Sequence, residues 1–180
     1  ELQKRISDNL RKLFYTQSEI LLSTSSGSGL MEGAIRSCTA KRAAVFSVGA
    51  FGNRWYKMAV NNNVPADIFE FEMGKAVKVE KVKEVLDTGK YDLVAVTHNE
   101  TSTGIMNPIK EIGEVIKNYP EVVFIVDTVS SAGGTKIEVD NWGIDVCITS
   151  SQKALGLPPG LSVCTFSEKA KNRAENVKNR

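Results

Sequence analysis

Short apolar, β-forming runs alternate with stretches of helical periodicity along most of the chain. The first stretch, residues 2–14, sets Leu2, Ile6, Leu10, Leu13 and Phe14 on one helical face. A short strand over 20–23 leads into a Ser/Gly loop, Ser25-Ser26-Gly27-Ser28-Gly29, after which the pattern predicts a helix from about Leu30 to Thr39. Residues 43–48 read as a buried strand and 53–61 as a helix, while 67–72 alternates with period two, as a half-exposed strand does. The rhythm then repeats, with a helix over 79–87 and an apolar strand over 93–97. Asn107-Pro108 predicts a helix start, Asn as cap and Pro at the first helical position. Residues 122–126 carry no polar side chain and predict a strand buried on both faces, followed by strands over 145–149 and 161–166. Helices between successive strands require crossover connections, so the fold class is expected to be α/β with a mostly parallel sheet.

In open α/β sheets, ligands sit beyond the C-terminal ends of the strands. Here the predicted strand ends carry the Ser/Gly loop, then His98, Asn99, Glu100 and Thr101, then Asp127, then Ser150, Ser151, Gln152 and Lys153. Gly27 and Gly29 let the backbone approach a ligand closely, and the helix that follows offers unpaired N–H groups to a phosphate, although glycine can also simply end a strand. No Gly-Lys-Ser/Thr follows, and Gly27, Gly29 and Gly33 do not fit the dinucleotide spacing, which excludes two common phosphate motifs. Asp127 directly follows Phe124-Ile125-Val126, where an unpaired carboxylate is costly to desolvate. It is either a hydrogen-bonded structural aspartate or a carboxylate that keeps a ring nitrogen protonated, which makes a pyridine ring an electron sink. Lys153 by itself is an ordinary surface lysine. Beside Asp127 at a ligand edge, and partly desolvated there, it becomes an amine nucleophile for an aldehyde. Phosphate cradle, ring-nitrogen carboxylate and amine together are what pyridoxal 5'-phosphate requires.

Composition narrows the partners. The 180 residues suffice for one domain with a real core, and 42% hydrophobic with 24% charged residues is a globular composition. Twenty-three Lys+Arg against 21 Asp+Glu leave a net charge of +2, with no Lys/Arg run longer than two, which argues against nucleic acid and acidic membranes as partners. A small molecule is expected instead. Cys38, Cys147 and Cys164 are widely spaced among apolar neighbours and read as buried thiols, without disulfide or metal-ligand spacing, so no metal is expected. With no signal peptide and no bilayer-length apolar stretch, a cytoplasmic location is expected. The chain opens on Glu1 and stops at Arg180 within a charged helical stretch, so it is expected to be one domain of a longer protein.

The motifs in order are Ser26-Gly27-Ser28-Gly29, Gly49-Ala50-Phe51-Gly52-Asn53-Arg54, His98-Asn99-Glu100-Thr101-Ser102-Thr103-Gly104, Val126-Asp127-Thr128-Val129-Ser130-Ser131, and Ser150-Ser151-Gln152-Lys153-Ala154-Leu155 followed by Pro158-Pro159-Gly160. From about Ser23 to Lys171 the chain thereby resembles the class V, fold-type I PLP-dependent aminotransferases, most of all the alanine–glyoxylate and serine–pyruvate group. The resemblance implies a three-layer α/β/α large domain over residues 1–180 with a mostly parallel mixed sheet, an N-terminal segment and a C-terminal small domain being absent. It also implies Lys153 as the Schiff-base lysine and proton shuttle, and Asp127 as partner of the pyridinium nitrogen. Ser28, Gly29 and Gln152 would hold the phosphate, with Leu30, where relatives carry His, contributing its backbone at most. Thr101 falls near the ring hydroxyl, and Phe51 where relatives stack an aromatic on the ring. His98 and Arg54 are given structural roles.

The implied reaction is transamination between alanine or serine and glyoxylate or pyruvate, in a homodimer with the site at the subunit interface. The arginine for the substrate carboxylate and the partner's phosphate contacts would lie outside these residues, so the 180 residues alone are expected to be inactive. Cysteine desulfurases of the same fold typically carry His before the lysine, where Gln152 stands here, which favours transamination. A desulfurase or lyase, and a non-catalytic phosphate-binding α/β domain, remain the alternatives.

Overall fold

The computed structural model describes residues 1–177. Apolar runs five residues long become strands because both their faces can be covered by helices. In chain order the elements are α1 (Leu2–Phe14), β1 (Glu19–Ser23), α2 (Gly27–Cys38), β2 (Ala43–Ser47), α3 (Ala50–Asn61), β3 (Ala66–Glu70), α4 (Val79–Asp87), β4 (Leu93–Thr97), β5 (Asn99–Glu100), β6 (Ile105–Met106), α5 (Ile109–Ile116), β7 (Val123–Asp127), β8 (Val146–Ser150), β9 (Ser162–Phe166) and α6 (Glu168–Asn176).

Seven strands form one sheet in the order β1-β9-β8-β7-β4-β2-β3, and β5 with β6 forms a separate hairpin. Neighbours from β3 through β8 are parallel, whereas β9 is antiparallel to both β8 and β1. β1 therefore runs in the same direction as β8. Every residue of β2, β4, β7 and β8 is buried.

Alternation along those strands feeds two cores. Ala44, Phe46, Val94, Val96, Phe124 and Val126 face Phe14 of α1, Val82 and Leu86 of α4, and Ile109 and Ile112 of α5. Val45, Leu93, Ala95, Ile125 and Ile148 face Met31 and Ile35 of α2, Trp55 of α3 and Ala170 of α6. The result is the expected mostly parallel α/β fold in three layers. Each large side chain so buried stabilises by roughly 1.5–3 kcal/mol. No described helix is long and apolar enough to cross a membrane.

Element starts differ from the sequence pattern in informative places. α2 begins at Gly27, so Gly27, Ser28 and Gly29 form its first turn rather than a loop, and Ser26 is the extended residue before it. α3 begins at Ala50 rather than Asn53. Asn107 does not cap α5. Its side chain accepts from the Val77 N–H (2.9 Å) and donates to the Thr97 carbonyl (2.7 Å), which ties two loops together. On α1 only Phe14 is buried, while Leu2, Ile6 and Leu13 remain exposed.

The N-terminal edge of the sheet is held by two buried carboxylates. Asp92 precedes β4 and accepts N–H bonds from Ala40, Lys41 and Arg42, each at 3.0 Å, and from Arg173 of α6 at 2.7 Å. Arg173 also donates to the Cys38 and Glu121 carbonyls. Asp145, before β8, accepts from the Phe124 N–H, the Ser167 hydroxyl and Lys169. Removing one partner of a buried ion pair strands the other charge. Asp92→Ala is thus expected to destabilise the protein by about 3–5 kcal/mol in urea titrations. A loss below about 1 kcal/mol, the range of an exposed pair, would show that the clamp carries little.

Candidate active site

All the predicted strand ends meet at the opposite, C-terminal edge, because β1, β4, β7 and β8 point the same way. Where β1 leaves the sheet, hydroxyls link Ser23 to Ser25 and Ser25 to Ser162, each at 2.9 Å. α2 then starts hard against the segment after β7. A Cβ on Gly27 would come within 2.7 Å of Val129 Cγ2, so only glycine lets the helix begin there. The Gly29 and Leu30 N–H groups already close on the Ser26 carbonyl, which leaves those of Gly27 and Ser28, without intrahelical partners, for an anion. The Leu30 side chain packs into the core between α2 and the sheet and offers the edge nothing polar. Below Gly27, the buried Ser150 hydroxyl has no hydrogen-bond partner.

α3 brings two side chains to the same place. Arg54 Nη1 donates to Ser28 Oγ at 3.0 Å, and its guanidinium carbon lies 4.7 Å from the centre of the Phe51 ring. Phe51 is half-buried beneath it. Arg54 was read as structural from the sequence, yet it bridges α3 to the first turn of α2. The helix start itself is made by Glu100, which is fully buried and accepts from the Phe51 and Gly52 N–H groups, each at 3.0 Å to Oε2. Neither Glu100 nor the Arg54–Ser28 contact was expected. The sequence signals for them are Glu100 at the end of a buried strand and the closely spaced Gly49 and Gly52.

Asp127 ends β7 and is 4% exposed. One oxygen accepts the Val129 N–H at 2.9 Å. Burial pushes the carboxyl up to about 6; the Val129 N–H opposes this, the Glu100 charge adds to it and Arg54 offsets it in turn. His98, next to the edge, is buried with Nδ1 3.0 Å from Ser131 Oγ and its ring edge-on to Trp142. Burial lowers it to about 4, so it is a neutral imidazole at neutral pH. Thr101 is exposed and donates to Ser130 Oγ at 3.0 Å; Ser130 in turn donates to the Asn99 carbonyl.

Gln152 and Lys153 stand in the turn directly after β8, and both are exposed. That corrects the expectation of a partly desolvated Lys153. The turn is held by backbone, with the Gly156 N–H on the Lys153 carbonyl and the Ser151 hydroxyl on the Pro158 carbonyl, and no described segment covers it. The structure thus joins Ser28, Phe51 and Arg54 directly, reaches Asp127 through Val129 beside Gly27, and leaves Thr101, Gln152 and Lys153 on an open ledge. Cys147 and Cys164 lie in β8 and β9 with their thiols pushed up to about 12 by burial, and Cys38 is buried at the end of α2. None of these thiols belongs to the ledge.

Comparison with known proteins agrees with this layout. Residues 5–179 match the sequence profile of the family Aminotransferase class-V. The chain is 45% identical over 168 residues to an uncharacterized aminotransferase of Methanocaldococcus jannaschii, covering 91% of this chain and 43% of that protein. It is 35% identical to serine–glyoxylate aminotransferase of Methylorubrum extorquens, covering 99% of this chain and 46% of that one. The crystal structure of alanine–glyoxylate aminotransferase from Nostoc sp. superposes with a TM-score of 0.93 at 29% identity, over 99% of this chain and 48% of that one. The chain therefore spans about half the length of the proteins it matches. The profile over nearly its whole length, the relatives and the shared sheet establish that the chain belongs to the class-V aminotransferases.

Proposed function

We propose that the protein is a pyridoxal-phosphate-dependent aminotransferase that moves the amino group of alanine or serine to glyoxylate or pyruvate, with Lys153 as its covalent anchor. One observation carries the reading within this family. Asp127 is a carboxylate whose proton affinity is raised by burial, and which the Val129 N–H and the Thr97 hydroxyl offset only in part, with no cation in contact. A protonated ring nitrogen is what such a group lacks. The other residues fit the same ligand. The Gly27 and Ser28 N–H groups, the Ser28 hydroxyl and Arg54 suit a phosphate, Phe51 offers an aromatic face, and the orphaned Ser150 hydroxyl awaits a polar partner.

When bound, pyridoxal phosphate supplies an aldehyde that condenses with amines and a ring that delocalises the electron pair left at the substrate α-carbon. The chain's part is to hold and to move protons. Asp127 would keep the ring nitrogen protonated, Lys153 Nζ would take the proton from the substrate α-carbon and return it to the cofactor's former aldehyde carbon, and the start of α2 with Ser28, Gly29 and Gln152 would hold the phosphate. Thr101, held by the Ser130–Asn99 network, would steady the ring hydroxyl. The small substrates follow relatives named for glyoxylate transamination. Gln152 before Lys153, and the absence of an accessible thiol among the described residues, favour this reaction over desulfuration. We further assign residues 1–180 to the large domain of a cytoplasmic homodimer, in which a C-terminal small domain supplies the substrate-carboxylate arginine and the partner subunit completes the phosphate site.

Borohydride reduction of the intact protein with pyridoxal phosphate, followed by peptide mapping, is expected to place one pyridoxyl group on Lys153. Label scattered over surface lysines would overturn the reading and return α2 to a generic phosphate site. Lys153→Ala is expected to lose both label and amino-group exchange, with a rate loss of at least about a hundredfold.

The Asp127 strain predicts a pH dependence. Its folded pKa of about 6 lies above the ordinary 3.8, so the folded state binds the proton more tightly. The associated stability is present below the ordinary value and is lost as pH rises through about 6. Asp127→Asn removes that loss. Stripped of cofactor, the Asn variant is expected to be more stable than wild type at pH 8, by on the order of 3 kcal/mol, and to show no advantage near pH 4. Thermal unfolding across this range checks it, and an advantage independent of pH would show that the carboxylate is not strained.

A further inference from the structure

Two helices, α2 and α3, begin at the site edge, yet their N-termini are treated in opposite ways. Both carry the positive end of a helix dipole and unpaired N–H groups, so both could attract an anion. At α2 no side chain caps the terminus. At α3 the Glu100 carboxylate, contributed by the β5 strand, fills the corresponding place. Oε2 accepts the Phe51 and Gly52 N–H groups at 3.0 Å, and Oε1 accepts the Ser102 hydroxyl at 2.6 Å and its N–H at 3.2 Å. The surroundings are shaped for it. A Cβ on Gly49 would lie 2.7 Å from Glu100 Cγ, and one on Gly52 would meet the Ser47 side chain. The N–H of Ala50 is taken as well, by Ser102 Oγ at 3.0 Å.

We infer that Glu100 is a positioning residue which plugs the α3 terminus with a fixed negative charge, so that the phosphate of the cofactor is accepted at α2 alone and the ring ligand binds in one orientation. The inference rests on the function proposed above. The same contact sets the first turn of α3, from which Phe51 covers the ring position and Arg54 reaches across to Ser28. α3 therefore delivers a guanidinium to the anion cradle while its own terminus is closed to anions. The Glu100 charge also faces Asp127 and favours a cationic partner there over an anionic one.

The test compares wild type with Glu100→Gln in the intact protein, stripped of cofactor. Gln keeps an acceptor of the same shape and removes the charge. Pyridoxal phosphate affinity, read from the visible absorbance of the bound cofactor, is expected to fall about tenfold. Thermal stabilisation by inorganic phosphate is expected to rise above that of wild type, because the α3 terminus, no longer balanced by a carboxylate charge, draws the anion. Glu100→Asp, which keeps the charge, is expected to suppress that extra phosphate stabilisation.

Opposite movements of the two ligands are what a merely structural role does not produce. Parallel weakening of both, or unchanged binding of both, would overturn the inference. Wild type that gives the Lys153 adduct but shows no crossover refutes the plug alone. Wild type that takes up no pyridoxal phosphate refutes the proposed function and the plug with it.

Discussion

Everything in this chain is constrained by a parallel sheet buried on both faces. Strands such as β4 and β7, covered by helices above and below, leave no place for a polar side chain along their length. Charged groups of these two strands and of the turns before them stand only where the strands begin or end. The two ends have then specialised. Strand beginnings carry Asp92 and Asp145, whose carboxylates meet backbone N–H groups and a cation each. Strand endings carry Thr97, Asp127 and Ser150, and there the hydrogen-bonding capacity is left incomplete.

Comparing the three most telling buried carboxylates makes the distinction physical. Asp92 is paired with Arg173 and fully engaged, so it stabilises, and its loss is a folding problem. Glu100 accepts from the Phe51, Gly52 and Ser102 N–H groups and from the Ser102 hydroxyl at the start of a helix. Asp127 has one backbone donor and a neighbouring negative charge, so its proton affinity is raised. Burial is the same in all three. What differs is how fully the chain itself supplies hydrogen-bonding and ionic partners.

Sequence pattern revealed most of this because hydrophobic period is local. The strand over 93–97 and the helix over 79–87 need only their own residues to be read, and the rule that ligands gather at strand ends puts Asp127 and Lys153 on one edge from sequence alone. The misreadings came where a local signal was decided by a distant residue. α3 starts three residues early because Glu100, nearly fifty positions away, caps it. α2 starts at Gly27 because Ser26 is already extended and its carbonyl takes the Gly29 N–H. Asn107 has the chemistry of a cap but spends it on Val77 and Thr97. Arg54 makes the structural contact expected of it, but nothing in Gly52-Asn53-Arg54 says that a side chain one turn into a helix will reach Ser28.

The exposure of Lys153 follows from the same logic at larger scale. A nucleophilic amine at a strand end is shielded only by whatever lies over that edge, and over the described residues nothing does. Gln152, Thr101 and Gly29 share the exposure, and Leu157 and Leu161 stand beside them as solvent-facing apolar side chains at 59% and 46%. Proton transfer at a carbon acid gains from excluding water, since each fixed charge then acts through a lower dielectric. The ledge as it stands cannot exclude it. Asp127, Ser150 and Glu100 are buried by the described residues whereas Lys153, Gln152 and Thr101 are not, so these residues form the floor of the candidate site and leave its other side open.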